Sequence, residues 1–345
     1  MKIAILDDYQ DCVRDLDCFK LLDEHDVKVF NNSARGVGQL AIRLAPFDAL
    51  VLIRERSSLS RALLARLPRL RLISQTGKVS GHIDVAAATE LGVAIAEGAG
   101  SPTAPAELTW ALIMAARRRI APYANNLKDG LWQMVSTHQP FNTLGQALRG
   151  RTLAIWGYGK IGQLVAGYGR AFGMDVLVWG SAASRDAAVA AGYRAAASRA
   201  QFFEQADVLT LHLRLARDTR GLVTALDLAR MKPDALFVNT SRAELVEDGA
   251  LEAALRQHRP GGAALDVFGD EPLKPDSPLL RMPNVLATPH IGYVEKDSYE
   301  LYFRAAFQNV LDFAGAGCSN VLNPEYRNHI RSLQETTATP APRSD

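Results

Sequence analysis

A chain of 345 residues, 48% hydrophobic and 22% charged, is long enough for two domains, each with its own core. A net charge of +2 excludes a whole-chain field for nucleic acid or an anionic membrane. No run approaches the roughly 18 apolar residues of a membrane-spanning helix. The three cysteines, Cys12, Cys18 and Cys318, are too dispersed for a metal or redox pair, and the amino terminus turns acidic without an apolar leader. A cytoplasmic protein holding no metal is the expectation.

In chain order, β-rich runs at 2–6, 27–30, 49–53 and 70–75 predict strands, with helical spacing in "LSRALLARLP" and "IDVAAATELG" between and after them. A long helix is predicted from Thr103. Its segment Ala106 to Leu127 carries Leu108, Trp110, Leu112, Ile113 and Met114, more apolar surface than one face of a surface helix needs. Burial of that surplus in a two-fold partner is expected. A second series of strands follows near 152–156, 175–179, 207–211, 235–239, 262–266 and 284–288. Such alternation predicts an α/β fold of parallel, doubly wound sheets. Residues 295–317 read as a further helix, and 331–345, polar and proline-bearing, as a disordered tail.

Within the second series, "TLAIWGYGKIGQLVAGYGRAFG" sets Gly157, Gly159 and Gly162 between a strand and a helix. That context turns a common glycine spacing into a dinucleotide site. Gly157 permits the turn, Gly159 lets the backbone approach a pyrophosphate, and Gly162 lets the helix pack on the strand. The pyrophosphate is expected against Tyr158, Lys160 and Ile161 at the helix N-terminus. An acid that would bind the ribose 2′-hydroxyl is missing. Gly180-Ser181 stands in its place, with Ser184 and Arg185 just beyond, so NAD and NADP both remain open.

Three later strand ends offer acid–base chemistry. Arg242 follows the strand near 235–239, Asp266 closes the next with Glu271 in the loop beyond, and His290 follows the last. An arginine holds a carboxylate and polarises a neighbouring carbonyl. A histidine exchanges a proton with the carbonyl oxygen, and a glutamate orients the ring and favours its charged form. Together they suit hydride transfer to a 2-oxo acid.

The segments "ALVLIRERSSLSRALLARLPRLRLISQTG", "GRTLAIWGYGKIG", "ADVLTLHLRLARDTRGLV", "MKPDALFVNTSRAELVEDGALEAAL", "ALDVFGDEP" and "TPHIGY" come in order over nearly the whole chain. On them the chain resembles the D-isomer-specific 2-hydroxyacid dehydrogenase family, in a subgroup similar to phosphoglycerate dehydrogenases. The resemblance implies two Rossmann-like or flavodoxin-like domains. Residues 1–102 and 292–330 would form a discontinuous substrate domain, and 103–291 the NAD(P)-binding domain. It implies NAD as the default cofactor, a small 2-hydroxy or 2-oxo acid as substrate, and a homodimer. Arg242, Glu271 and His290 fall on the catalytic residues and Asp266 on a carboxamide-binding aspartate. Further cofactor contacts are implied at His212, Thr219 and Thr240, and substrate contacts at Arg54, Thr76, Gly77 and Lys78. The loop "QTGKVSGHID" departs from the usual glycine-rich pattern, leaving the substrate's side chain open. Glu271 stands where formate-oxidising members carry glutamine and argues against that branch. A non-catalytic, dinucleotide-sensing regulator of the same fold can retain all three catalytic residues.

Overall fold

The computed structural model describes residues 1–330 apart from Arg35, Pro140, Phe141, Ala316 and Cys318. The expected tail and the third cysteine lie outside the described residues. The chain divides into two compact units, Met1–Ser101 together with residues from Glu295 onward, and Pro102–Val294.

The first unit is built on five parallel strands: β1 (Lys2–Leu6), β2 (Asp26–Val29), β3 (Ala49–Leu52), β4 (Leu72–Gln75) and β5 (Ala94–Ala96), in the order β2-β1-β3-β4-β5. The central strands are buried on both faces, which is why they read as unbroken apolar runs. Helices α1 (Val37–Leu44), α2 (Arg61–Leu64) and α3 (Val85–Glu90) bury Leu44, Leu63, Leu64 and Ala87 against Leu6, Leu50, Leu52 and Ile73. Residues alternate across a strand, so Ser74 points to the other face and donates to the carbonyl of Ala306, 2.8 Å away.

The second unit opens with α4 (Thr103–Arg117) and α5 (Ile120–Lys128). It then alternates β6 (Thr152–Trp156), α6 (Lys160–Ala171), β7 (Asp175–Trp179), α7 (Ala182–Ala190), β8 (Arg194–Ala195), α8 (Arg199–Gln205) and β9 (Val208–Leu211). After these come α9 (Ala225–Arg230), β10 (Leu236–Asn239), α10 (Ala250–Arg256), β11 (Gly262–Leu265), α11 (Pro278–Arg281) and β12 (Val285–Ala287). The helix α12 (Lys296–Ala314) returns to the first unit, where it packs on β4. The seven strands are parallel in the order β12-β11-β10-β9-β6-β7-β8. Strand order reverses at β6, the place where open α/β sheets bind ligands beyond their carboxyl ends. α4 and α6 cover one face through Ala106, Ile113, Val165 and Ala166. On the other face, Phe202, Phe203, Leu228 and Leu255 pack from α8, α9 and α10.

Two expectations need correction. The predicted long helix is broken: α4 stops at Arg117, and Arg119 adopts a left-handed conformation (φ 52°) before α5 begins. The break is stabilised from a distance, because the N–H of Gln146 caps the carbonyl of Arg117 at 2.7 Å. The apolar surplus is also placed differently. Leu112 and Ile113 are buried, and Leu108, Trp110 and Met114 pack against the core of their own unit. The large exposed apolar residues here are instead Ile120 and Leu127 of α5 with Trp132 and Leu144 of the following segment, the last two 74% and 87% exposed.

Candidate active site

β6 delivers the chain into Gly157 at φ 101°, a conformation L side chains avoid, and a Cβ there would collide with the carbonyl oxygen of His212. A Cβ at Gly162 would collide with the carbonyl of Gly157, so helix and turn touch backbone to backbone. Gly159 differs. It heads α6 in an extended conformation, and a Cβ added there meets nothing within 4 Å. The turn thus leaves a cradle that a side chain would fill, beside the orphan N–H groups of a helix with no acid in its first turn. Tyr158 is buried against Tyr193 with ring centroids 6.0 Å apart, Ile161 is half-buried, and Lys160 is exposed at the start of the helix. These features fit a nucleotide pyrophosphate.

At the end of β7, the Ser181 hydroxyl caps α7 by accepting from the N–H of Ser184 at 3.3 Å, and Arg185 lies over the ring of Trp179 at 4.7 Å. His212, just past β9, pairs with the Thr210 hydroxyl at 3.1 Å. The residue keeps part of its surface exposed, yet burial round its ring pushes the pKa down to about 4, so the ring is neutral.

The same carboxyl edge carries the acid–base residues. β10 ends in the buried Asn239, which donates to the carbonyl of Arg242 (2.8 Å) and accepts from the N–H of Ser241 (3.0 Å), fixing the turn that presents Arg242. His290 sits at φ 53°, and its Nδ1 lies 2.7 Å from Oε2 of Glu271. The other Glu271 oxygen accepts from the N–H of Phe268 at 2.9 Å. Burial works to raise the pKa of Glu271, but the hydrogen bond and charge of His290, the Phe268 N–H and the Arg242 charge outweigh it and hold the carboxyl below its ordinary range. An ionised carboxylate only accepts, so Nδ1 carries the proton in this pair and Nε2 is left for another partner.

Asp266, expected to bind the cofactor carboxamide, is tied into the turn that carries His290. It is fully buried and accepts from the Thr288 hydroxyl (2.6 Å) and the N–H groups of Ile291 and Gly292 (2.9 Å each). These donors bracket His290, so Asp266 clamps the strained turn that carries the imidazole. Thr219 is engaged within its own turn, donating to the Arg214 carbonyl at 2.7 Å, and Thr240 pairs with Thr109 at 2.7 Å.

In the first unit, Arg54, Thr76, Gly77 and Lys78 come together at the carboxyl ends of β3 and β4. Arg54 is left-handed (φ 52°), and its N–H donates to the Thr76 hydroxyl at 2.9 Å. That hydroxyl donates onward to the carbonyl of Leu52, so Thr76 is a buried loop tie. The Arg54 guanidinium lies where a Cβ of Gly77 (φ 99°) would stand. Lys78 is held by Glu97 at 2.6 Å, and Glu97 also accepts from the N–H of Val79 at 2.8 Å. Glu97 went unnoticed in the sequence because a lone glutamate some twenty residues downstream carries no pattern. Among the described residues, no helix is long and apolar enough to cross a membrane and no group of three or more His, Cys, Asp or Glu is placed to hold a metal.

The family model of the D-isomer specific 2-hydroxyacid dehydrogenase NAD binding domain matches residues 110–292, more than half of the chain. The chain belongs to this family. A glyoxylate reductase of Aeropyrum pernix is 38% identical over 268 residues, 76% of this chain and 79% of that one. A D-3-phosphoglycerate dehydrogenase of Methanocaldococcus jannaschii is 34% identical over 278 residues, 80% of this chain and 51% of the relative. The crystal structure of a putative D-3-phosphoglycerate dehydrogenase from Ralstonia solanacearum superimposes with a TM-score of 0.92 at 58% identity, over 94% of this chain and 98% of that one. The protein is an NAD(P)-dependent oxidoreductase that interconverts a D-2-hydroxy acid and its 2-oxo acid.

Proposed function

We propose that this reaction runs through Arg242, Glu271 and His290, on a substrate of the glyoxylate, glycerate or phosphoglycerate kind. The reading is carried by the 2.7 Å pairing of His290 Nδ1 with Glu271 at the strand edge that also ends in Arg242. Arg242 holds the substrate carboxylate and polarises the adjacent carbonyl. In the reducing direction His290 gives the proton on Nε2 to the carbonyl oxygen, and Glu271 stabilises the ring through the exchange. The bound nicotinamide supplies the hydride, and the reverse reaction returns it. An assay panel of glyoxylate, hydroxypyruvate, pyruvate and 3-phosphohydroxypyruvate with NADH and NADPH tests the substrate reading. Turnover of glyoxylate, hydroxypyruvate or 3-phosphohydroxypyruvate is expected, and failure on all three, or turnover of pyruvate alone, overturns it.

The working assembly in this reading is a cytoplasmic homodimer. The free thiols of Cys12 and Cys18 suit a reducing compartment. The exposed Ile120, Leu127, Trp132 and Leu144 suit a second copy, and Leu144 also borders a groove of about 520 Å³ lined by Arg117, Pro122, Asp234, Gly262 and Leu286. The groove lies at the amino ends of β10 to β12, away from the edge that carries His290. A monomer mass by light scattering at micromolar concentration overturns the dimer; a Trp132→Glu variant that dissociates it supports this face.

A further inference from the structure

The end of β7 decides which dinucleotide the Gly157–Gly162 turn accepts. We infer that the site selects the 2′-phosphorylated cofactor, NADP(H), through Ser181, Ser184 and Arg185. The inference rests on the reading of the glycine turn as the pyrophosphate cradle.

Selection for an unphosphorylated ribose requires an acceptor at the end of the second strand, and a carboxylate there repels a 2′-phosphate. That position is Gly180, with φ 154° and a Cβ that would press on Ser184 at 3.3 Å. The turn is therefore shaped for glycine, and an aspartate would have to rebuild it. In place of a carboxylate the chain sets two hydroxyls and an arginine. The Ser181 hydroxyl donates to that of Ser184 at 3.2 Å, which leaves the Ser184 proton to give. The α7 N-terminus behind them has no acid in its first turn.

Arg185 completes the set. Its guanidinium is stacked 4.7 Å over Trp179, which restrains the fork while leaving its N–H edges to reach an anion. Among the described residues no carboxylate lies within ion-pair distance of it. Asp186, its sequence neighbour, does not share its helix face. A stacked arginine without a counterion, beside two hydroxyls and a helix N-terminus, is complementary to a phosphate dianion.

Calorimetric titration of the whole protein with 2′,5′-ADP and with 5′-AMP reads the 2′-phosphate without any turnover. The expected result is binding of 2′,5′-ADP tighter by about tenfold to a hundredfold. The ratio should fall as ionic strength rises. Arg185→Ala should collapse the ratio, with Arg185→Lys recovering part of it. Ser181→Asp keeps a helix cap of equal quality while adding a carboxylate, and should invert the preference. Equal binding of the two nucleotides, or tighter binding of 5′-AMP, overturns the inference and leaves the glycine-turn reading intact. Binding of neither nucleotide, nor of NAD(H) or NADP(H), instead overturns that reading, and the inference with it.

Discussion

Both units end a parallel strand next to the point where strand order reverses, yet they treat that place in opposite ways. In the second unit, β6 runs into Gly157, Gly159 and α6, and the Cβ space of Gly159 is open. In the first unit, β1 runs into Asp7 and Asp8, and the chain's own carboxylates fill the corresponding place. Asp8 is fully buried and accepts from the N–H of Val13 at 3.0 Å, at the start of the 3-10 turn Val13–Asp15. Asp7, at φ 62°, accepts from the hydroxyls of Ser33 and Ser57, while Arg56 donates to its carbonyl and to Tyr299. An anion hole that a protein fills with its own aspartate stabilises the fold. One bordered by glycine and left open binds a ligand. The same topology therefore serves stability in one unit and, in the proposed function, recognition in the other.

Substitutions at the two turns should separate these roles. The largest effect is expected from Gly159→Val, which fills the open cradle and should abolish dinucleotide binding in calorimetry. Its thermal transition should stay close to that of the parent, since the added atoms meet no protein near Cβ. Retained binding would remove the pyrophosphate from this turn. Next come Arg242→Ala and His290→Ala, each expected to lower turnover about 100-fold or more with cofactor affinity little changed. Near-parental turnover in either variant would strip that residue of its role. The first unit should answer in stability alone. Asp8→Ala leaves the Val13 N–H without its acceptor and should cost about 1 kcal/mol in denaturant unfolding. Its affinity for the dinucleotide should not move; weaker binding in this variant would blur the distinction between the turns.

How much of this was legible in the sequence follows from how local the determinants are. Strands buried on both faces read as contiguous apolar runs, so β6, β7, β9 and β10 fall within a residue of their expected bounds. The short β5 and β8, three and two residues long, leave no periodicity to read. The break at Arg119 was hidden because the Gln146 N–H that caps Arg117 arrives from 29 residues away. In the site, the glycine turn and the order of arginine, glutamate and histidine were legible, since each follows a recognisable strand. The clamp by Asp266 was not. Its donors on Thr288, Ile291 and Gly292 come from the next strand end, and only packing reveals that the carboxylate faces inward. The pairing of Lys78 with Glu97 was hidden likewise, because it is a contact between two loops.

The smallest predicted effects concern the two carboxylates beside His290, whose pKa values move in opposite directions. For Glu271, burial is outweighed by His290, the Phe268 N–H and Arg242, so the folded pKa lies below the ordinary 4.5. Its contribution to stability is full above that value and is lost as pH falls through the lower folded one. For Asp266, burial outweighs the hydrogen bonds from Thr288, Ile291 and Gly292, and the folded pKa lies above 3.8. Below 3.8 this group costs nothing; as pH rises through its folded value, the unfolded chain gains the more favourable ionisation and stability is lost. Between about pH 3 and pH 6 the two groups should therefore pull the melting temperature in opposite senses. Calorimetric scans of the parent, Glu271→Gln and Asp266→Asn across that range read the effect directly. The margin of the parent over Glu271→Gln should widen with rising pH, and its margin over Asp266→Asn should narrow. Margins that moved in parallel would mean that burial governs both groups alike, and the ionised Glu271 needed to orient His290 would lose its support.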